Sequence, residues 1–381
     1  MKKIMSVVGA RPNFVKLAPI HKALSNSSGH ELTHSIVHTG QHYDYNLSKI
    51  FFKEFGIPEP NFDLDVGSGT PGFQIGEMIK RLEKVFQEKN NGFDLVLVYG
   101  DTNSTLAGAL AAKTFGLKVG HVESGLRSFD RRMPEEINRV LTDHISDYLF
   151  APTESAVMNL QREHVFGKII NTGDLSVEIV REAAHLSEMK SVILNNLKLQ
   201  PKSYNLFTMH RSENTSSVEA LISVISTFEI LSEQEGGESE EGEGKKTTKI
   251  VFPIHPRTAN LLRTTDLYSR LERCKNVNLI EPVGYLDFIS LLKNANKLIT
   301  DSGGAQKEAY LLGIPCITIR KNTEWIETVT EGWNVLTDTD PNRILNAIEN
   351  WMTSTDPNSR NKFILGDGRT STIIREFVIS N

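Results

Sequence analysis

Short apolar runs alternate with amphipathic stretches along most of this 381-residue chain. Continuous apolar, β-branched runs are typical of buried strands, whereas apolar positions spaced three and four apart are typical of helices. In the first half the pattern predicts strands at 4–8, 33–38, 95–99, 119–122 and 168–171. It predicts helices at 17–24, 47–55, 75–87, 106–115 and 136–146. Such alternation indicates parallel sheets built from βαβ units.

A second series of the same kind follows. Strands are predicted at 205–208, 250–254, 277–280, 297–300 and 316–319. The intervening helices are predicted at 218–231, 286–294, 306–312 and 344–352. The chain is therefore expected to form two similar α/β halves, joined near 173–178 after the predicted strand 168–171.

Composition and charge narrow the class of protein. The apolar fraction of 39% and the charged fraction of 23% are ordinary for a globular protein. A net charge of −5 gives no global basic field, so no nucleic-acid or membrane partner is expected. Cys274 and Cys316 lack ligand or redox spacing, which predicts reduced thiols in a cytoplasmic protein. The first apolar run is too short for a signal peptide.

Two segments have superficial motifs. His30-Glu-Leu-Thr-His34 fits a zinc-protease pattern, but that pattern needs a helix and this segment enters a predicted strand, so no metal site is expected. Residues 233–246 are Glu, Gly, Ser and Lys with one Gln and no apolar residue, which predicts a surface insertion with no core.

Polar and charged residues follow several predicted strands of the first half. Gly9-Ala-Arg-Pro12 closes the first strand, where Arg11 would be ready for an anion and Lys16 would add positive charge. Asp101 follows the strand 95–99, although a helix N-cap would also explain it. Ligands bind at the carboxyl ends of strands in open α/β sheets, so these residues are site candidates.

The next strand is followed by His121-Val-Glu-Ser-Gly-Leu-Arg127, which places Glu123 and Arg127 at the same edge. Met133-Pro-Glu-Glu136 then opens a helix. Proline followed by acids is also what helix N-termini favour, so Glu135 and Glu136 have both a functional and a structural explanation.

The second half repeats this arrangement. His210 and Arg211 follow a strand that ends at Thr208. Asp301-Ser-Gly-Gly304 leads from a strand into a helix, so Ser302, Gly303 and Gly304 can offer backbone N–H groups to a diphosphate. Glu308 is one helical turn further on, where an acid can bind ribose hydroxyls, and Arg320 follows the strand 316–319. Two α/β domains that face a cleft would gather both sets of residues.

Together these motifs resemble the non-hydrolysing UDP-N-acetylglucosamine 2-epimerase family nearly end to end. The motifs that match in order and spacing are Gly100-Asp-Thr102, His121-Val-Glu-Ser-Gly-Leu-Arg127, Pro134-Glu-Glu136, Thr208-Met-His-Arg-Ser-Glu-Asn214, His255-Pro256, Asp301-Ser-Gly-Gly304 and Gly366-Asp-Gly368. The resemblance implies a glycosyltransferase-B-like fold and a homodimer. It implies domains at 1–174 and 175–364, with a C-terminal helix within 365–381 that returns to the first domain.

The family's reaction would make this chain an isomerase that converts UDP-GlcNAc to UDP-ManNAc by eliminating UDP to a glycal and adding it back. The resemblance assigns the acid–base chemistry to Asp101, Glu123, Glu135 and His210. It places Arg11, His210 and Ser302-Gly303-Gly304 around the diphosphate, Glu308 at the ribose and Arg320 on the nucleotide side. No cofactor or metal is implied. Some members are activated by a UDP-sugar bound at a second site. The residues whose positions resemble that site are Gln41, Glu136, Arg211 and His255.

Departures from the family pattern leave the sugar open. Ser124 stands where the family usually has alanine, and Ala10 where it usually has threonine. Asn322-Thr-Glu-Trp-Ile-Glu327 and Gln41-His-Tyr-Asp44 are closer to relatives that epimerise UDP-2,3-diacetamido-2,3-dideoxy-glucuronate, which is the alternative substrate. A glycosyltransferase on the same fold and a non-catalytic nucleotide-sugar sensor are further alternatives.

Overall fold

The computed structural model describes residues 2–25, 32–41, 55–88, 92–215, 217–233, 249–254, 256–353, 361 and 363–381. The strands are β1 (Lys2–Val8), β2 (Leu32–His38), β3 (Phe62–Asp63), β4 (Leu95–Tyr99), β5 (Val119–Val122), β6 (Tyr148–Ala151), β7 (Lys168–Asn171), β8 (Tyr204–Thr208), β9 (Lys249–Pro253), β10 (Val277–Ile280), β11 (Leu298–Thr300), β12 (Cys316–Thr318) and β13 (Asn334–Leu336).

The helices are α1 (Arg11–Ser25), α2 (Pro71–Glu88), α3 (Asn103–Thr114), α4 (Pro134–Ile145), α5 (Glu154–Arg162), α6 (Ser176–Lys190), α7 (Ile193–Asn196), α8 (Ser212–Thr215), α9 (Val218–Glu233), α10 (Pro256–Thr264), α11 (Leu267–Arg273), α12 (Tyr285–Asn294), α13 (Gly303–Leu312), α14 (Ile326–Thr330), α15 (Pro341–Glu349) and α16 (Thr370–Ser380). Contacts divide the chain into unit 1, Met1–Ile179 with Lys362–Asn381, and unit 2, Val180–Asn361.

Unit 1 is built on a parallel sheet with the strand order β3-β2-β1-β4-β5-β6-β7. Met5 and Val7 of β1 and Val96 and Val98 of β4 point to one face, where they join a buried apolar cluster with α2 and α3. Because the strand order reverses between β1 and β4, the loops after these two strands diverge and leave a crevice, which is where such sheets bind ligands.

Unit 2 repeats the plan with the order β10-β9-β8-β11-β12-β13, again parallel throughout. Its core is centred on Phe207, whose ring meets Phe228 and Phe252 edge-on with centroids 4.9 and 4.6 Å apart. The reversal here lies between β8 and β11. The predicted fold class, two Rossmann-like α/β domains, is confirmed at the level of each unit.

Most predicted elements are present, with shifted ends. The largest shift is in α1, which begins at Arg11 instead of the predicted residue 17. Pro12 fits an early helical position because the first N–H groups of a helix need no intrahelical acceptor. The Arg11 side chain and the predicted helix 47–55, apart from Phe55, lie outside the described residues, as does the insertion 234–248. Strands β3, β6 and β13 were missed.

The C-terminal segment packs into unit 1. Lys2 Nζ donates to the carbonyls of Val378 and Ile379, at 2.9 and 2.8 Å, and so caps the end of α16. Before that helix, the backbones of Gly173 and Gly366 touch. A Cβ on either glycine would lie within 2.9 Å of the other's Cα, and both have positive φ, of 77° and 97°. Only glycine fits at this crossing.

A polar chain runs into the core of unit 1 from its surface. His21 of α1 contacts His34 of β2 through their Nδ1 atoms, 3.0 Å apart. The His34 Nε2 atom is 2.8 Å from Ser6 Oγ, which is 2.6 Å from the buried Tyr99 hydroxyl. Burial, and then the charge of His21, lowers the pKa of His34 to about 3.

Within the described ranges, no helix is long and apolar enough to cross a membrane. Cys274 and Cys316 are both free and buried, as expected of structural thiols. Burial raises the pKa of Cys316 to about 12, so this thiol is not a nucleophile near neutral pH.

Candidate functional site

Asn13 ties together the two loops that flank the strand reversal of unit 1. Its Oδ1 atom accepts from the N–H groups of Gly9 and Ala10, at 3.2 and 3.1 Å, and from Thr102 Oγ1 at 3.2 Å. Its Nδ2 group donates to the Tyr99 carbonyl at 2.8 Å. This buried amide fixes the mouth of the crevice, and sequence reasoning did not find it.

Asp101 lies at the carboxyl end of β4 and is not the N-cap of α3. The cap is Thr102, whose hydroxyl accepts from Thr105 N. The Asp101 carboxylate instead contacts Arg139 of α4, with Oδ2 and Nη2 2.5 Å apart. The helix-cap explanation of Asp101 is therefore wrong, and its carboxylate remains partly exposed at the sheet edge, with 24% of the side chain accessible.

Glu123 follows β5 with a φ of 70°, in the left-handed region that non-glycine residues rarely adopt. Its Oε1 atom is 2.7 Å from Lys16 Nζ of α1. A Cβ on Gly100 would lie 2.8 Å from the same ammonium, so glycine at that position gives Lys16 room to reach Glu123. Backbone strain of this kind collects at functional sites because surrounding contacts must hold it in place.

Ser124, which follows Glu123, is buried with a hydroxyl that makes no hydrogen bond among the described residues. The N–H groups of Glu123 and Ser124 both donate to the Phe150 carbonyl, at 3.1 and 3.2 Å. Ser124 is wholly buried, and among the described residues its Oγ atom has no hydrogen-bond partner. A buried hydroxyl left in this state costs stability.

We therefore expect Ser124→Ala, which restores the residue usual in the resembled family, to raise the free energy of unfolding by about 1 kcal/mol. Chemical denaturation of the two proteins measures this change. A lower stability in the alanine variant would show that the hydroxyl has a partner in the folded protein.

A fully buried carboxylate, Asp143 of α4, links the segments around Asp101 and Glu123. Its Oδ1 atom is 2.7 Å from His121 Nδ1, and its Oδ2 atom is 2.7 Å from Arg127 Nη1 and accepts from Gly125 N at 3.1 Å. The other His121 nitrogen, Nε2, donates to the Gly100 carbonyl at 2.7 Å. Burial raises the pKa of Asp143, but the charges of His121 and Arg127 hold it below its ordinary value.

The two acids that open α4 differ in their surroundings. Glu136 is buried, and its carboxylate accepts from the N–H groups of Ser128 and Phe129, both at 2.9 Å, and contacts Arg139 at 2.9 Å. Glu135 is only partly buried at the helix N-terminus. Glu136 thus holds the β5–α4 loop, while Glu135 stays closer to solvent.

Gln41, expected from the resemblance near a second site, is built into unit 1. Its Oε1 atom accepts from the N–H and hydroxyl of Ser104, at 2.9 and 2.6 Å, at the start of α3. Its carbonyl accepts from Gln74 at 3.1 Å. His255, predicted at the same second site, lies outside the described residues.

In unit 2, Asp301 at the end of β11 organises the turn that carries His210. Its buried carboxylate accepts from the backbone N–H groups of His210, at 3.1 Å, and Arg211, at 2.9 Å. Asn214 Nδ2 adds a contact at 3.3 Å. His210 Nδ1 is 3.4 Å from Asp301 Oδ1, and about half of the imidazole is exposed. The structure thus joins the two strand ends that flank the reversal in this sheet.

The N-terminus of α13 lies at the same reversal. Ser302 caps it by accepting from Ala305 N. A Cβ on Gly303 would meet its nearest neighbour, Glu324 Oε2, at 3.4 Å, and one on Gly304 would meet only Ser302 Oγ, at 3.9 Å. Neither glycine has a positive φ. The fold itself does not require glycine here, although glycine weakens a helix relative to alanine.

The remaining predicted residues of unit 2 have protein contacts. Tyr285 Oη donates to Glu308 Oε1 at 2.8 Å. The Arg320 guanidinium is buried and donates through Nη1 and Nη2 to Glu324, at 2.9 and 3.2 Å. Arg211 Nη2 lies 3.9 Å from the same carboxylate. Arg320 therefore fixes the loop before α14, next to the N-terminus of α13.

Comparison with known proteins gives a consistent match across the chain. The sequence profile of the family described as UDP-N-acetylglucosamine 2-epimerase matches residues 22–379. A Methanococcus maripaludis protein named UDP-N-acetylglucosamine 2-epimerase homolog is 47% identical, over 98% of each chain. A Pseudomonas aeruginosa protein named UDP-2,3-diacetamido-2,3-dideoxy-D-glucuronate 2-epimerase is 40% identical, over 99% of each chain.

Among solved structures, a Methanocaldococcus jannaschii UDP-GlcNAc 2-epimerase in complex with UDP-GlcNAc and UDP superposes with a TM-score of 0.89. It is 40% identical, and the alignment covers 100% of both chains. The similarity extends over both units.

Proposed function

The chain belongs to the UDP-N-acetylglucosamine 2-epimerase family, and on that premise we propose that it interconverts UDP-GlcNAc and UDP-ManNAc. The observation that carries the proposal is the placement of Asp101 and Glu123 after two neighbouring strands, each carboxylate beside a cation. That is an acid–base arrangement at the edge where parallel sheets bind ligands.

Epimerisation at C2 requires both acid–base residues and a binding site for the UDP leaving group. The C2 proton of the pyranose is not acidic, because no carbonyl adjoins it. Removing this proton while the C1–O bond to UDP breaks gives a glycal, with the electron pair of the C2–H bond forming the new double bond. Re-addition of UDP at C1, with a proton delivered to the opposite face of C2, gives the epimer. Proton transfer at both faces requires positioned acids and bases.

We assign the proton transfers at C2 to Asp101, Glu123 and Glu135. The first two are held by Arg139 and Lys16. The Glu136 carboxylate accepts hydrogen bonds from the backbone of the β5–α4 loop, so we give this residue a positioning role.

We assign the leaving diphosphate to the N-terminus of α13, with His210. Backbone N–H groups and cations stabilise the charge that develops as UDP departs. The contact with Asp301 orients the His210 ring. Glu308 binds the ribose, and Arg320 acts through Glu324, which lies against Gly303.

Gly304→Ala tests the diphosphate site with two effects of opposite sign. We expect the free energy of unfolding to rise by about 0.5 kcal/mol, because alanine favours the helix. We expect the dissociation constant for UDP to rise at least about tenfold, because the methyl group blocks the approach of the anion. Denaturation and calorimetric titration with UDP measure the two effects.

Gly76→Ala is the matched control, since Gly76 lies in α2 with nothing within 4 Å of an added Cβ. It should stabilise the protein equally and leave UDP binding unchanged. Unaltered UDP binding in Gly304→Ala would remove the α13 N-terminus from the proposed site.

A second substrate is supported by the Pseudomonas aeruginosa relative, which is named for the diacetamido-glucuronate nucleotide. The reaction would be the same epimerisation at C2. The Trp325 indole Nε1 lies 3.5 Å from a Cβ position on Gly303, so this departure from the usual family motif is next to the proposed diphosphate site.

The deciding experiment incubates the purified protein with each nucleotide sugar in D₂O. With UDP-GlcNAc we expect deuterium at C2 and formation of UDP-ManNAc, detected by NMR. Exchange with the diacetamido-glucuronate nucleotide alone would select the second substrate. Absence of exchange with both would refute the proposed epimerisation, and consumption that requires an added acceptor would indicate a glycosyltransferase.

We also propose a homodimer, as the resemblance implies. Leu110 of α3 and Ile137 and Leu141 of α4 are large apolar side chains that unit 1 exposes on adjoining helices. A second copy of the chain would cover them. Light scattering of the eluting protein should give twice the mass of 42.6 kDa, and a monomer at micromolar concentration would refute the dimer.

A further inference from the structure

The network around Asp143 is buried in unit 1, and its residues are not among the proposed acid–base or UDP-binding groups. Asp143 and His121 have no exposed side-chain surface. The outer end of the network is an ion pair in which Arg127 donates through Nε and Nη2 to Glu163, at 2.8 and 2.6 Å. Burying several charges is expensive unless they are paired and hydrogen-bonded. Apolar residues would fill the same space at lower cost, so the network calls for an explanation.

His121 bridges Asp143 and the loop after β4 through its two ring nitrogens. Its Nε2 atom donates to the Gly100 carbonyl, which can only accept. Its Nδ1 atom lies 2.7 Å from Asp143 Oδ1. His121 therefore links the buried carboxylate to the Gly100 backbone.

The network meets the backbone at two points, each next to a proposed acid–base residue. The Gly100 carbonyl belongs to the peptide that leads directly into Asp101. Gly125, whose N–H donates to Asp143 Oδ2, is two residues after Glu123. Gly100, Glu123 and Gly125 all have positive φ, between 66° and 81°. Backbone in this conformation persists only where surrounding contacts over-determine it.

We infer that Asp143 and His121 are positioning residues, which together set the placement of the Asp101 and Glu123 carboxylates. The inference rests on the function proposed above. One buried carboxylate holds the Glu123 turn directly and the Asp101 peptide through the His121 ring. Neither residue touches the sugar. Their contribution is to keep two acid–base groups, on separate loops, in the geometry that proton transfer at C2 requires.

Asp143→Ala tests the inference through a split between turnover and ligand binding. We expect kcat for C2 exchange to fall between about tenfold and a hundredfold, the scale of a small misplacement of catalytic groups. UDP binding should keep its stoichiometry and affinity, because its proposed contacts lie in unit 2. Asp143→Asn should recover most of kcat, since its amide can donate to His121 Nδ1 while its oxygen accepts from Gly125 N.

Leu82→Ala provides the control for loss of stability. Leu82 is fully buried in the unit 1 core and takes no part in the network. The Leu82→Ala substitution should lower the melting temperature of the protein, while kcat measured below that temperature stays at the wild-type value. If Asp143→Ala does not fold, Asp143→Ser replaces it, because serine is almost as small and leaves a hydroxyl among the buried polar groups.

Wild-type kcat in a folded Asp143→Ala protein would overturn the positioning role and leave the proposed epimerisation standing. Asp143→Asn no more active than Asp143→Ala would overturn it too, because geometry would then not be what the carboxylate supplies. A wild-type protein that exchanges C2 deuterium with neither nucleotide would overturn the proposed function, and the positioning role with it.

Discussion

Glu123→Gln should reduce kcat for C2 exchange at least about a hundredfold, the scale of lost general acid–base catalysis. Glutamine keeps the size of the side chain and an oxygen that can accept from Lys16. It cannot take up or deliver the C2 proton. Because the proposed UDP contacts are in unit 2, the affinity for UDP should stay within about threefold of wild type, a difference worth well under 1.4 kcal/mol.

Asp101→Asn should give a loss of the same size, and it would remove the ion pair with Arg139 as well. Glu77→Gln makes a matched change from carboxylate to amide at an ion pair on α2, away from the site, and should leave kcat unchanged. Deuterium incorporation measured by NMR under saturating substrate gives kcat for all three variants. Near-normal turnover in Glu123→Gln or Asp101→Asn would remove that residue from the proton-transfer steps.

His34 should make the protein less stable as the solution is acidified from pH 7 to pH 5. Its pKa is lowered from 6.5 to about 3 in the folded state, so below pH 6.5 the unfolded chain binds a proton that the folded chain does not. Stability is therefore complete above pH 6.5 and falls as the pH decreases toward 3. Because the imidazole is partly exposed, we expect a loss of at least about 1 kcal/mol by pH 5, below the full linkage value.

Urea unfolding at pH 7 and pH 5 measures this loss as a shift in midpoint. His34→Gln removes the titrating group and should flatten the dependence, whereas His144→Gln, at an exposed position on α4, should preserve it. A His34→Gln protein that still loses the wild-type amount of stability between the two pH values would assign the effect to other groups.

The strands that follow a strong apolar pattern could be predicted closely. Strands β4, β5, β7 and β10 have the predicted bounds, and the first two of these are wholly buried in the sheet. Helix ends were less accurate. The start of α1 was missed because Pro12 was taken to close a turn, whereas the first turn of a helix tolerates proline.

The candidate residues at strand ends were found because parallel sheets deliver them to one edge. The residues that hold them were not, because Asn13, Asp143 and Asp301 act through hydrogen bonds to segments distant in the chain. One signal was available in α4. Glu136, Arg139 and Asp143 are spaced three and four apart, on a single helical face, and all three are buried. Charged residues on the face that a helix turns to the core indicate a polar network.

The crossing of Gly173 and Gly366 has a consequence for the order in which the protein is made. Residues 362–381 complete unit 1, yet the ribosome reaches them only after it has made all of Val180–Asn361. The second sheet can form on the emerging chain while the first still lacks α16 and the partner of Lys2. Unit 1 therefore cannot form the contact between Gly173 and Gly366 until the C-terminal segment has been synthesised.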